Sequence, residues 1–315
     1  MDVTNAFLHG ELHEEVYMSI PPGTVVPPQF AHIPNLVCKL VKSLYGLRQA
    51  PREWFLKFCT VLIQYGFKQT HTDHSLFVLK VNNSMVAVLV YVDDILVTGN
   101  DLKLINTVKA HLAKHFLIKD LGPLHYFLGI EAARSSAGIF LNQRKYTLDI
   151  IKDLKFENAK PSLIPMEQHH TLLSNTTSPL LDNITSYRQL VGRLIYLTIT
   201  CPDISYPVHI LSQFLSAPRA CHLDAAYKVV RYLKHTIGQG ILLSAHSSLS
   251  LTAFADADSG ACPQTHQSLT DIAILFNSIQ LNNKNIIIRS YSPPHHYKSL
   301  HERIIYESSF FRIGI

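Results

Sequence analysis

Charge is scarce in this 315-residue chain. Only 16% of its residues are Asp, Glu, Lys or Arg, against 47% hydrophobic. That balance excludes an intrinsically disordered chain and allows a sizeable core in about two domains. Cysteines are few and scattered. Cys38, Cys59, Cys201, Cys221 and Cys262 never reach C-x-x-C spacing, so neither a zinc site nor a disulfide framework is expected. Eighteen histidines form no H-E-x-x-H motif. Long apolar runs are also missing, since the longest, Met85 to Val92, is far too short to span a bilayer. Met1 leads straight into Asp2 without a basic region or apolar stretch, so no signal peptide is read. A soluble, intracellular chain with no membrane partner is expected. No repeat of 20–50 residues occurs, which excludes solenoids and propellers. The net charge of +5 suits a polyanionic partner without requiring one.

Against this background two adjacent carboxylates stand out. Asp93 and Asp94 interrupt the apolar segments Met85–Tyr91 and Ile95–Val97, which read as strands rich in Val, Leu and Ile. A β-turn that favours Asp accounts for the pair in one way. Its apolar flanks, Val90-Tyr91-Val92 and Ile95-Leu96-Val97, point to another. Two neighbouring carboxylates repel each other, and burying them without a partner is costly. A hard divalent cation relieves both problems, and Mg²⁺ bound through oxygen is the natural choice. The pattern predicts a two-metal phosphoryl-transfer site.

The rest of the chain supplies a frame. Asp2 to Leu8 reads as a strand end entering a short helix, with little chain before it to pair. Pro21 to Pro34 is a proline-rich loop. Pro51 suits the first turn of a helix closed by Gly66, with Trp54, Phe55, Phe58, Val61, Leu62 and Tyr65 on one face. Ser75–Val81, Met85–Tyr91 and Ile95–Val97 form a meander whose second turn carries the two aspartates. Asn100 or Asp101 caps the next helix. Three apolar stripes follow: Tyr146, Ile150, Ile151 and Leu154; Tyr187, Leu190, Val191 and Leu194; Leu223, Ala226, Val230 and Leu233. Pro161 to Asn183 reads as a polar connection, and Pro207 as a kink. Leu249 to Phe254 reads as a strand, and after about residue 280 no period remains.

Two further segments matter only in company. Asp2 alone reads as a terminal acid or helix cap. In Ser43 to Trp54, Gly46 permits close backbone approach, Arg48 and Arg52 can meet phosphates, and Trp54 reads simply as core. Together, in this order, the motifs carry a resemblance. Asp2-Val-Thr-Asn-Ala-Phe-Leu-His-Gly-Glu-Leu12, Ser43-Leu-Tyr-Gly-Leu-Arg-Gln-Ala-Pro-Arg-Glu-Trp54, Tyr91-Val-Asp-Asp94, Leu121-Gly-Pro-Leu-His-Tyr-Phe-Leu-Gly-Ile-Glu131 and the segments Tyr187–Leu197 and Pro202–Tyr206 resemble the reverse transcriptase of copia-type retrotransposon Pol polyproteins, over residues 1 to about 270.

The resemblance implies an α+β fold: a polymerase palm of antiparallel sheet and helices over 1–135, a helical thumb and connection over 136–245, and a partial ribonuclease H-like α/β unit over 246–315. It implies an RNA-directed DNA polymerase that takes dNTPs and an RNA or DNA template with primer. Asp2, Asp93 and Asp94 would be the catalytic acids and ligands of two Mg²⁺ ions, with Mn²⁺ as a substitute. Phe7, Tyr45, Gly46, Arg48 and Tyr91 would bind substrate. Phe7 has two readings, a gate against the 2′-hydroxyl or a core residue. Phe127, Leu128, Gly129 and Ile130 would form the primer grip. Other Pol segments (integrase, protease and a complete ribonuclease H) would be partners in the full-length family.

The sequence also departs from the family. The fingers subdomain expected before Asp2 is missing, so an N-terminally truncated chain with defective polymerase activity is expected. Asp256, in Asp256-Ala-Asp258, matches the first ribonuclease H carboxylate, but Ser259 stands where Trp is expected and no later Glu helix is recognisable. Asp256 is therefore expected to be vestigial, without nuclease activity, after a frameshift or decay near residues 265–285. Cys201 stands where Arg precedes Pro-Asp-Ile-Ser-Tyr. The rival readings are a non-catalytic nucleic-acid-binding remnant and a pseudogene product.

Overall fold

The computed structural model describes residues 1–30, 32–167, 172 and 177–246, together with the course of three later strands, 251–257, 270–281 and 284–291. The chain divides into two compact units, Met1–Pro123 and a second from Leu124 onward. Both are mixed α and β, and among the described residues every strand pairing within each unit is antiparallel.

In the first unit the strands are β1 (Asp2–Val3), β2 (Glu11–Ser19), β3 (Val37–Lys42), β4 (Lys68–Gln69), β5 (Leu76–Val81), β6 (Ser84–Tyr91), β7 (Asp94–Gly99) and β8 (Ile118–Lys119). The helices are α1 (Ala50–Tyr65) and α2 (Leu102–His115). Six strands form one sheet in the order β4-β5-β6-β7-β1-β8, while β2 and β3 pair only with each other. Strand alternation decides the faces. On β6, Val86, Val88 and Val90 are buried; on β1 and β7, so are Val3 and Ile95. These residues share one core with Trp54, Phe58, Val61 and Leu62 of α1 and Ile105, Val108 and Leu112 of α2.

Local chemistry sets the helix ends. Pro51 lies in the first turn of α1, and Gly66 closes it at φ 112°, a conformation that favours glycine. Asp101 caps α2 by accepting from the amides of Lys103 and Leu104. The Asn100 side chain instead binds the Met85 amide and the Asn83 carbonyl.

One expectation changes here, and one strand appears that the sequence reading did not name. β1 does not lack partners: it is an interior strand, paired with β7 on one side and β8 on the other. The polar stretch before Pro21 is also a strand, because β2 and β3 flank the proline-rich loop as an antiparallel ribbon.

The second unit contains β9 (Tyr126–Phe127), β10 (Ile130–Ser135), β11 (Gly138–Asn142), α3 (Arg144–Asp153), α4 (Ile184–Leu197), α5 (Ser205–Ser212), α6 (Ala220–His235), β12 (Gly240–Ser244), β13 (Leu251–Ala257), β14 (Thr270–Leu281) and β15 (Lys284–Tyr291). Its sheet runs β13-β14-β12-β11-β10-β9, with β15 also on β14. The three apolar stripes lie on α3, α4 and α6 and bury a core of Ile150, Ile151, Tyr187, Val191, Leu194, Ala226 and Val230. The Tyr187 hydroxyl donates to the Leu211 carbonyl at 2.8 Å. Pro207 does not kink a helix. A 3-10 turn, Pro202–Ile204, precedes α5, and Pro207 falls in the first turn of α5, where its missing N–H costs no intrahelical bond. β15 covers a stretch whose sequence shows no period.

One close approach fixes how α1 meets the segment after β1. A Cβ on Gly10 would lie 2.8 Å from Ser43 Oγ and 2.9 Å from both Glu53 Cβ and the Trp54 backbone nitrogen. Gly10 has an ordinary φ of −69°, so space rather than backbone conformation demands glycine. Gly10→Ala is expected to lower stability by about 1–3 kcal/mol, as overpacking does. Urea unfolding checks it, and a change below about 0.5 kcal/mol contradicts the packing.

Candidate active site

Two of the three candidate acids, Asp2 and Asp94, meet through strand pairing. Asp2 lies directly opposite Asp94 in the β1–β7 ladder. The flanking backbone bonds run from Met1 N to Ile95 O at 2.8 Å, from Ile95 N to Met1 O at 2.9 Å, and from Val3 N to Asp93 O at 2.8 Å. Asp2 and Asp94 are therefore a non-hydrogen-bonded pair, the register that brings opposed side chains closest. Val3 and Ile95 face the helices, so by alternation Asp2 and Asp94 leave the sheet on its other face. Tyr91 pairs with Asp94 from β6, and Lys119 pairs with Asp2 from β8. One row across the sheet thus reads Tyr91, Asp94, Asp2, Lys119. The sequence reading missed Lys119. Its signal is only pairwise register, which no local pattern reveals.

Asp93 sits in the tight turn between β6 and β7. Because Tyr91 already pairs with Asp94, the loop is two residues long, Val92 and Asp93. Val92 has φ 56°. A β-branched residue in the left-handed region is an outlier that costs about 1–2 kcal/mol, and such strain persists only where the surroundings hold it. The hold is visible: the Trp54 indole N–H donates to the Val92 carbonyl at 2.6 Å. Trp54 is core, 1% exposed, but not simply core.

The electrostatics match the geometry. Burial, then the charges of Asp93 and Asp2, push the Asp94 carboxyl above its ordinary range, while the N-terminal ammonium pulls it back. Three acids with oxygen donors and mutual repulsion fit a hard dication such as Mg²⁺. Among the described residues no three His, Cys, Asp or Glu side chains already converge as a cation cage. The fit is therefore one of charge and donor type. Asp2, Asp93 and Asp94 are the residues that would hold the ion.

The Ser43–Trp54 segment borders this centre. The Phe7 and Tyr45 rings lie 4.7 Å apart between centroids. Gly46 adopts φ 95° with open space around it, so conformation alone requires glycine there. Arg48 and Arg52 are exposed. The hydroxyl of buried Ser43 donates to the Phe7 carbonyl.

Phe127, Leu128, Gly129 and Ile130 belong to the second unit. Phe127 pairs with Ile130, while Leu128 and Gly129 occupy the turn at φ 49° and 79°. They form a tight hairpin, whose Leu128 carbonyl accepts from the Tyr196 hydroxyl. Asp256 lies on β13 opposite Asp271; its side chain, like Ser259, falls outside the described residues. Among the described residues no helix is long and apolar enough to cross a membrane.

Comparison with known proteins gives this arrangement a class. Residues 1–168 match the family model for reverse transcriptase (RNA-dependent DNA polymerase), and the chain belongs to that family. Within it the relatives are copia-type elements. The chain is 47% identical over 258 residues to the retrovirus-related Pol polyprotein from transposon RE1 of Arabidopsis thaliana, an overlap covering 82% of this chain and 17% of that protein. It is 35% identical over 286 residues to the Pol polyprotein from transposon TNT 1-94 of Nicotiana tabacum, covering 88% and 21%. A putative transposon Ty5-1 protein of Saccharomyces cerevisiae is 37% identical over 263 residues, covering 83% and 84%. The chain thus spans less than a quarter of the two plant polyproteins. No solved structure matches it.

Ionised Asp94 is unfavourable in the folded state, because its carboxyl is raised above its unfolded value. Asp94→Asn is therefore expected to raise the thermal midpoint near pH 7. The gain should vanish by about pH 3, where Asp is protonated folded and unfolded alike. Calorimetry across this range checks the sign, and a lower midpoint for the variant near pH 7 contradicts it.

Proposed function

We propose that this chain is the RNA-directed DNA polymerase segment of a copia-type Pol polyprotein, acting by two-metal nucleotidyl transfer. The observation that carries the reading is the register that sets Asp2 against Asp94, with Asp93 in the adjoining two-residue turn. In this reading residues 1–135 serve as the palm, 136–245 as thumb and connection, and 246–315 as a ribonuclease H-like segment.

Bound Mg²⁺, or Mn²⁺, would supply Lewis acidity: a more acidic primer 3′-hydroxyl and neutralised triphosphate charge. The protein's own share is to hold and orient. Asp2 and Asp93 are the main ligands, with Asp94 in support. Their mutual repulsion makes the centre receptive to cations. Phe7, backed by Tyr45, lies under the incoming sugar and excludes a 2′-hydroxyl by bulk. Gly46 and Arg48 border the templating pair, and Arg48 offers phosphates a planar donor fork. Tyr91, level with Asp94, contacts the substrate from the neighbouring strand. The hairpin Phe127–Ile130 positions the primer strand, its turn tied to α4 through Tyr196. The template–primer is held by its phosphates, so affinity falls steeply with salt.

Primer extension on a defined RNA template with Mg²⁺ and dNTPs tests the reading. Weak extension by the wild type is expected, in keeping with its departures from the family pattern, reduced by about 10²–10³-fold in Asp93→Asn, the scale of losing one electrostatic group at a reacting centre, with primer–template binding retained. Salt-sensitive binding without extension would instead make the chain a non-catalytic binder. A second experiment addresses Phe7: Phe7→Val is expected to raise ribonucleotide relative to deoxynucleotide incorporation by about tenfold or more. An unchanged ratio would return Phe7 to the core.

A further inference from the structure

We infer that Ser43 and Trp54 are positioning residues of the nucleotidyl-transfer centre, two side chains of one segment that clamp the backbones carrying its acids. The inference rests on the polymerase reading and extends it to groups that touch neither substrate nor metal.

Trp54 provides the first half. Its ring packs near His9, Phe58 and Phe116, with centroids 5.9, 5.4 and 5.1 Å away. Any large aromatic residue could fill that place. The indole N–H is different. It can only donate, and a buried indole seeks an acceptor. It takes the carbonyl of Val92, at 2.6 Å. That carbonyl belongs to the peptide unit joining Val92 to Asp93, so holding it sets the direction in which Asp93 leaves the turn. Val92 is also the residue at φ 56°, where a β-branched side chain does not stay without external restraint.

Ser43 provides the second half. It is fully buried. Its backbone N–H donates to the Gly10 carbonyl at 2.9 Å, and its hydroxyl donates to the Phe7 carbonyl. These bonds hold the 3-10 turn Ala6–His9 at its second residue and just past its end, and only Thr4 and Asn5 separate that turn from the strand of Asp2. The two halves join through the Val3 amide, which donates to the Asp93 carbonyl at 2.8 Å. The result is a closed circuit: Ser43 to the Asp2 segment, that segment to the Asp93 turn, the turn to Trp54, and Trp54 back along the chain to Ser43. Gly10, with no room for a Cβ against Ser43 and Trp54, lets the circuit close.

The test uses the full chain. Trp54→Phe keeps a ring and deletes the N–H; Ser43→Ala deletes the hydroxyl. Each is expected to lower kcat for primer extension by about tenfold or more, the scale of losing a supporting group, with the KM for dNTP changed by less than about threefold. Val92→Gly in the Trp54→Phe background is expected to recover most of the loss, because glycine holds a positive φ without help. A merely structural role for Trp54 predicts no such rescue. Unchanged kcat in either single variant, or no recovery in the double variant, overturns the clamp.

A second readout does not depend on extension or on the Trp54 and Ser43 variants folding. Trp54 is the only tryptophan, so its emission reports on this bond directly. Adding Mg²⁺ to the wild type is expected to shift the emission, and the shift is expected to be absent in Asp93→Asn. No shift in the wild type under conditions where Mg²⁺ raises its thermal midpoint overturns the inference. If the wild type extends no primer yet its emission responds in this Asp93-dependent way, the polymerase reading fails and the clamp stands.

Discussion

Everything in the first unit depends on one strand pairing. The β1–β7 ladder sets Asp2 against Asp94 at the closest register an antiparallel sheet offers. Left to themselves, like charges there would push the strands apart. The fold answers with apolar burial on the other face, where Val3, Ile95 and Val90 pack against α1 and α2. It also places β1 inside the sheet, so that β8 holds it from the far side and brings Lys119 level with Asp2. Burial first, and the repulsion that remains second, raise the Asp94 carboxyl. A protein selected for stability alone would have no use for such a row. A centre that holds a cation, as proposed above, has a clear one.

The Ser43–Trp54 segment makes sense within that frame. It leads from a loop with a left-handed Gly46 into an interior helix, so its polar atoms reach backbone carbonyls that the sheet itself leaves unpaired. Strain at Val92, a buried indole donor and a glycine with no room for a methyl group are three signs of one requirement: the acids must be held in place before any ligand arrives. Preorganisation of this kind is where much of an enzyme's electrostatic advantage lies.

How much of this could be read from the sequence differed by element. The β5–β6–β7 meander was legible because Val and Leu alternate with little interruption, and the two aspartates mark its turn. α1 was legible from Pro51, Gly66 and its apolar stripe; the stripes of α3, α4 and α6 were equally plain. β2 was not. Glu11, His13, Glu14 and Glu15 leave no apolar alternation, since most of that ribbon faces solvent. The interior position of β1 and the company of Lys119 were hidden because pairing is a long-range property that two-residue strands cannot announce. Pro207 misled because the same residue breaks a helix in its middle and starts one at its end. Trp54 read as core on apolar spacing, and it is core; its second role lies in one N–H, invisible to any hydrophobic pattern. Asp93 and Asp94 were named from their apolar flanks and Asp2 only from motif order; what the structure adds is the register that opposes Asp2 to Asp94.

The central claim is that Asp2, Asp93 and Asp94 form one cation-seeking centre made by strand register. Mn²⁺ titration of the wild type and of Asp2→Asn, followed by electron paramagnetic resonance with primer–template present, tests it most directly. The account predicts that the wild type sequesters Mn²⁺ and that Asp2→Asn, altered on a strand remote in sequence from the Asp93–Asp94 turn, loses that binding. Equal Mn²⁺ binding by the two proteins would contradict it.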